Sequence, residues 1–395
     1  MISKKMQKMA QGNSAIRAMF EEGKKLAAQY GAENVYDFSL GNPSVPAPDT
    51  VRLAAQDILN NEDSLMVHGY MSNAGYEDVR EAVAQDLNRR FGTAFTQKNI
   101  LMTVGAAGGL NVILKTLLDP GDEVICFAPF FAEYGNYVAN WDGVLVTVPP
   151  DVPNFGLDLQ AFAARVTPRT KAVILNNPNN PTGVVYGEET IRALAAVLEQ
   201  KQAEYHTAIY LISDEPYREL VYDGAQVPFL TKYYRNTVVG YSWSKSLSLP
   251  GERIGYLCIP SELEDFDLVV SAASIAQRIL GFVNAPSLMQ RVVARCLDEK
   301  ADTAAYDRNR ELLYGALREL GFECVKPSGA FYLFVRSPLE DEAAFVNKAK
   351  EFHLLLVPGS SFACPGYVRL AYCVPEDRIR RSLSAFRSLA AACGL

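Results

Sequence analysis

The stretch SWSKSLSLPGERIG (residues 242–255) sets one lysine between two apolar runs, TVVGYS (237–242) and RIGYLCIP (253–260). Runs that are apolar almost throughout read as strands covered on both faces. The end of such a strand is a poor place for a solvated charge. Desolvation and a neighbouring cation such as Arg253 lower the pKa of a lysine, so the amine of Lys245 can attack a carbonyl carbon and form a Schiff base. The plainer alternative is a lysine paired with an acidic group beside a loop. Ser242 and Arg253 are suited to hold an anion at the same place.

The apolar signature recurs upstream. NILMTV (99–104), DEVICFA (122–128), GVLVTV (143–148), KAVILN (171–176) and AIYLIS (208–213) have it, with helical stretches such as 107–118 and 187–203 between them. That alternation predicts a mainly parallel α/β sheet with helices against it. Residues 14–30 have a helical period with a serine at its start, VYDFSLGNPSVPAP (35–48) is a short strand entering a Pro-rich loop, and 76–91 is a helix. From about residue 262 the pattern changes. A long helical region runs to about 320, and its middle (269–297) is nearly all helix formers. FECVKPSGAFYLFVR (322–336), a helix at 340–352, LLLVPGSSF (354–362), YVRLAYC (367–373) and a terminal helix follow. Fewer strands and segregated helices predict a second, α+β part.

At 395 residues the chain exceeds what one compact core usually absorbs. Its net charge of −7 supplies no bulk basic field for nucleic acid or an anionic membrane. No apolar run approaches the roughly 20 residues that span a bilayer, and the N-terminus lacks the apolar core of a signal peptide. The seven cysteines are odd in number and form no CxxC pair, as expected of reduced thiols in the cytoplasm. His68, His206 and His353 are scattered, without metal-ligand spacing. No metal is expected.

In parallel sheets ligands bind beyond the carboxyl ends of strands. GAAGGL (105–110) follows the first strand, where small residues and free helix N–H groups suit a phosphate, although any strand-to-helix turn needs small residues. NPNNPTG (177–183) is a turn or an amide, Asn180, for a ligand oxygen. DEPYREL (214–220) sets Asp214 at a strand end, as a helix cap or as a carboxylate facing a cationic ring nitrogen. Phosphate cradle, amide, carboxylate, tyrosine and lysine on successive strand ends are together what a pyridoxal phosphate site needs.

On these residues the chain resembles the class I/II aminotransferases of the fold-type-I pyridoxal-phosphate superfamily, over nearly its whole length. The pattern SxSK-x5-GxR (Ser242, Ser244, Lys245, Gly251, Arg253) and NPxNPTG followed by DExY carry the likeness. It implies a seven-stranded, mainly parallel sheet sandwiched by helices, plus a smaller α+β domain from both termini. The division would be 1–45 for an N-terminal arm and part of the small domain, 46–290 for the cofactor-binding domain, and 291–395 for the small domain. It implies pyridoxal 5′-phosphate as cofactor. Lys245 would hold its aldehyde and move a proton, Asp214 would keep the ring nitrogen protonated, and Tyr217 and Asn180 would bond the ring oxygen. Phe131 would stack on the ring. Ser242, Ser244, Arg253 and the backbone of Ala106 and Ala107 would serve the phosphate. Tyr70, in HGYMSNAGYEDVR (68–80), would reach the partner's site in a homodimer. Arg369, in GYVRLAY (366–372), would grip the substrate α-carboxylate, assisted by Gly41 and Asn180.

The implied activity is exchange of an amino group between an L-amino acid, aspartate first, and a 2-oxo acid such as 2-oxoglutarate. A C–S β-lyase on the same fold is the alternative. A pyridoxal-phosphate-binding regulatory module is a third reading, weakened because residues 1–34 show no helix-turn-helix and no basic stripe. Two departures bear on the donor. The GAAGG turn has no Ser or Thr, and Ala107 stands where some aspartate-specific members carry a lysine. Arg17 and Lys115 are candidates for a second carboxylate, and Tyr134, Phe331 and residues 34–48 for shaping the pocket.

Overall fold

The computed structural model describes residues 2–11 and 15–395. The seven runs read as strands all pair in one sheet. The two-residue β1 (Tyr36–Asp37) comes first in the chain and lies apart. The sheet is built from β2 (Ile100–Thr103), β3 (Glu123–Phe127), β4 (Val144–Val148), β5 (Thr170–Asn176), β6 (Tyr210–Asp214), β7 (Thr237–Ser242) and β8 (Gly255–Cys258). Their order is β2-β8-β7-β6-β5-β3-β4, and only β8 runs against its neighbours. Every residue of β2, β3, β6, β7 and β8 is buried, which is why these stretches show no polar alternation.

The order matters for the site. Parallel β5, β6 and β7 end side by side, so Asn176, Asp214 and Ser242, their last residues, share one edge. Because β8 is antiparallel, it begins at that edge and brings Arg253 there. The two strands flanking β8 run the same way, so β2 also ends there and feeds the helix Gly105–Leu117.

The region 262–320 is three helices, Phe266–Ile279, Ser287–Ala294 and Thr303–Glu319. The first of these helices ends at Ile279, and the chain turns at Gly281, where φ is +84, so a run of good helix formers is interrupted there. The helix expected from residue 14 spans Ala15–Tyr30, and Ser14 lies outside the described residues.

A second sheet holds β9 (Tyr332–Arg336), β11 (Val357–Pro358) and β12 (Tyr367–Ala371), all antiparallel, while β10 (Leu354–Leu355) pairs in parallel with β1. Its core joins Phe38 from the N-terminal segment to Tyr306, Leu313, Phe331, Phe345, Leu370 and Phe386, so both ends of the chain build it. Val292, Val293 and Cys296 still pack with the large sheet's Tyr241 and Tyr256 and with Trp243 just beyond β7. No described helix is long and apolar enough to cross a membrane.

Candidate active site

A cavity of about 300 Å³ opens where the carboxyl edge of the large sheet faces the smaller one. Leu40, Gly41, Ala106, Ala107, Phe131, Asn180, Asp214, Tyr217, Ser242, Ser244, Lys245, Arg253 and Arg369 are among its lining residues.

Lys245 sits in the one-turn helix Trp243–Ser246 that follows β7. Ser242 caps that turn, accepting from the Ser244 N–H at 3.1 Å, and the two serine hydroxyls are bonded to each other. The lysine Nζ donates to the Gly41 carbonyl at 2.7 Å and lies 5.3 Å from the centre of the Phe331 ring. Burial pushes its pKa down to about 8, with Arg369 and Arg253 helping and the Cys373 thiol opposing.

Asp214 ends β6 and is buried at the cavity wall. Burial raises its pKa to about 7, against the hydrogen bond that Tyr134 Oη donates to Oδ2 at 2.5 Å, with Glu215 adding to the rise. Its other oxygen, Oδ1, is buried and has no partner among the described residues. A buried acceptor left unmade is costly unless a ligand meets it.

The helix Gly105–Leu117 presents its first turn to the cavity without a side-chain cap or an acidic residue. Gly105 has φ +68, and a Cβ there would lie 2.9 Å from Arg253 Nη2. Glycine therefore lets the guanidinium close over free N–H groups, a cradle for an anion. Arg253 itself donates to the Pro250 carbonyl at 2.8 Å.

Arg369, in β12, is only 2% exposed. It donates to Asn180 Oδ1 at 3.0 Å and to the Ser39 carbonyl at 2.6 Å, while its Nε is buried without a partner. The rings of Tyr332 and Phe362 lie 4.5 and 4.8 Å from the guanidinium. Among the described residues neither Lys245, Arg253 nor Arg369 pairs with a carboxylate. Three cations and one carboxylate leave the cavity positive.

The comparisons agree with this geometry. The family model described as "Aminotransferase class I and II" matches residues 33–386. The chain belongs to that family. An aspartate/prephenate aminotransferase of Thermus thermophilus is 34% identical over 352 residues, covering 88% of each chain. A probable N-acetyl-LL-diaminopimelate aminotransferase of Bacillus subtilis is 30% identical over 369 residues, 91% of this chain and 89% of that one. Among solved structures, an amino transferase from Eubacterium rectale superposes with TM-score 0.97 at 46% identity, covering 100% of this chain and 99% of that one. The Thermus thermophilus aspartate aminotransferase with maleate superposes with TM-score 0.87 at 30% identity, covering 98% and 99%.

This member of the class I/II aminotransferases is thus an α/β transferase that depends on pyridoxal phosphate. The residues present fit that group. The unpartnered Asp214 Oδ1 suits a protonated ring nitrogen, the Gly105 turn and Arg253 suit a phosphate, and Lys245 suits an aldehyde.

Some expected residues lie elsewhere. Tyr70, expected to reach the partner's site, is 93% exposed and away from this chain's cavity. Lys115 does not face the cavity. Its ammonium lies 5.0 Å from the Trp141 ring centre, because helix position 115 points outward. The Arg17 side chain lies outside the described residues. Tyr134 acts on Asp214 from behind, and Phe331 packs under Lys245, so neither lines the cavity. Tyr332, which the motifs did not single out, does line it, as do Tyr137 and Asn176. Asn176 holds the site's backbone, accepting from the Asn180 N–H at 2.6 Å and donating to the Asp214 carbonyl at 2.9 Å. The one available signal was position. Asn176 is the last residue of a strand, and Tyr332 follows directly on Phe331.

Proposed function

We propose that this aminotransferase moves the amino group of an L-amino acid to a 2-oxo acid, and that the cavity residues divide that work. The observation that carries the reading is Arg369: a buried guanidinium with, among the described residues, a free Nε and no carboxylate partner, lining the same cavity as Lys245. When bound, the cofactor supplies an aldehyde that takes up the amino group and a ring that draws electrons away from the substrate Cα.

Lys245, neutral above about pH 8, holds that aldehyde and then carries the proton at the substrate Cα. Asp214 keeps a proton on the ring nitrogen by offering Oδ1. Tyr217 and Asn180 donate toward the ring oxygen. The Asn180 amide oxygen is already taken by Arg369, which turns the amide nitrogen to this task. Phe131 covers the ring. The first turn of Gly105–Leu117, Ser242, Ser244 and Arg253 hold the phosphate. Arg369 binds the α-carboxylate through two parallel N–H bonds. Arg369→Lys keeps the charge and loses the fork, so KM for the amino donor is expected to rise about 10- to 100-fold with a smaller change in kcat, read from initial rates.

Aspartate with 2-oxoglutarate is the first pair to test, supported by the names of the relatives. A second carboxylate needs a cation beyond the three described in this chain's cavity lining. Single-turnover spectra with a donor panel decide it. The reading of aspartate is abandoned if the visible band bleaches with neutral donors and stays with aspartate. Failure of every donor would end the aminotransfer reading itself.

We infer also that two copies assemble, each lending Tyr70 to the other's phosphate. Its 93% exposure, beside exposed Leu65 and Met66, supports this. Sedimentation is expected to give twice the 43.5 kDa chain mass, and a monomer in active fractions would refute it. The seven unpaired cysteines support a cytoplasmic location.

A further inference from the structure

We propose that Tyr332 is a positioning residue for the amino-transfer reaction, coupling Tyr217 to Arg369 across the cavity. This rests on the roles given above to those two residues. Tyr332 opens β9 and is 2% exposed. Its hydroxyl meets the Tyr217 hydroxyl at 2.9 Å, and the two rings stand edge to face, centres 5.7 Å apart at 81°. The same ring carries the Arg369 guanidinium 4.5 Å from its centre. Backbone closes the remaining side. A Cβ built on Gly41 would lie 2.0 Å from Tyr332 Oη, so the absence of a side chain at 41 makes room for this hydroxyl.

The direction of the hydroxyl bond follows from chemistry. Tyr217 spends its own proton toward the cofactor, so its oxygen accepts from Tyr332. Burial lifts both phenols and Arg369 resists the rise in each, so both hydroxyls keep their protons. A phenol that accepts a hydrogen bond donates its own more strongly. Separately, an aromatic face against a guanidinium fixes the plane in which its N–H fork opens. Hydroxyl and ring therefore have different tasks, and two substitutions separate them.

Tyr332→Phe removes the hydroxyl and keeps the ring. Tyr332→Leu removes both. On holoenzyme, the visible absorbance band is titrated with pH. A donor toward the ring oxygen favours the more negative, deprotonated form of the bound chromophore, so weakening it moves the midpoint up. Tyr332→Phe is expected to raise the midpoint by about half a pH unit, in the same direction as Tyr217→Phe and by less. Its Kd for 2-oxoglutarate should stay within about twofold of wild type, whereas Tyr332→Leu should weaken it about tenfold.

If Tyr217→Phe moves the midpoint and Tyr332→Phe does not, the relay is wrong while the role of Tyr217 stands. If neither moves it, the role of Tyr217 falls and the relay with it. If Arg369→Lys weakens 2-oxoglutarate binding and Tyr332→Leu does not, the ring has no hold on the arginine. Melting temperatures are measured alongside, and the Phe variant keeps the relay falsifiable even if the Leu variant fails to fold.

Discussion

Lys245→Ala protein is expected to retain no cofactor that borohydride fixes to the chain after pyridoxal phosphate is added, and to lose at least about 10,000-fold in transamination rate. Fixation needs an amine joined to the aldehyde, and no other described amine lines the cavity. The substitution should leave the fold intact. The lysine's one hydrogen bond is to the Gly41 carbonyl, and it brings a buried charge that burial already disfavours. Removing it should therefore leave the melting temperature of the cofactor-free protein unchanged or slightly raised. The same amine makes a pH prediction for the wild type. Attack on an aldehyde needs the neutral form. With a pKa near 8 in place of the ordinary 10.5, the neutral fraction grows through pH 7–9, so the rate of colour formation from cofactor-free protein should climb with pH and level off above about 9. A rate that keeps rising steeply to pH 10 would show that Lys245 is not desolvated. Borohydride-fixed cofactor and activity retained by Lys245→Ala would show that another residue holds the aldehyde.

The second large effect is at Asp214. Asp214→Asn swaps an oxygen for an amide of nearly the same shape, and kcat/KM is expected to fall about a thousandfold or more. The reason is electrical. In the cofactor-free protein the carboxyl titrates near pH 7, because burial disfavours its charge by more than the Tyr134 hydroxyl restores. A protonated ring nitrogen at the unpartnered Oδ1 gives that charge a partner, and ring proton and carboxylate then stabilise each other. Asparagine cannot carry the charge, so the ring becomes neutral and a poor electron sink. By linkage, cofactor binding at Asp214 is weakened as pH falls through 7, where the free carboxyl takes up its own proton, and that slope should vanish in Asp214→Asn. Equilibrium titration with pyridoxal phosphate at pH 6 and 8 reads it. A thousandfold loss without any change in pH slope would mean that the amide harms the site by packing and not by charge.

Much of the site was readable before any coordinates. Strand ends are legible because a strand buried on both faces has no polar alternation, and the first polar residue after the apolar run marks the sheet edge. Asp214 and Ser242 are such residues, and Lys245 stands one turn on. Arg369 was legible only through its motif, because an arginine in an apolar strand looks like an edge residue until its burial is known. Tyr332 had only its place beside Phe331 as a signal. In FYLFV it reads as one more core aromatic, and only the fold shows that its hydroxyl meets Tyr217 while its ring carries Arg369. The region 262–320 is helical as read, but its breaks were missed for a related reason. Propensity counts residues and does not see the chain turn at Gly281, where φ is +84.

The amino-acid sequence by itself therefore determined the alternating α/β pattern, the strand-end chemistry and the family. Each depends on neighbours within about a dozen residues, through burial period, turn geometry and motif spacing. The tertiary structure decided what depends on distant segments meeting: that antiparallel β8 returns Arg253 to the edge where β2, β5, β6 and β7 end, that Tyr134 props Asp214 across 80 positions of chain, and that Lys115 faces Trp141 and not the cavity. Such contacts are set by sheet order and by which face of a helix is covered, and no local window of sequence contains either.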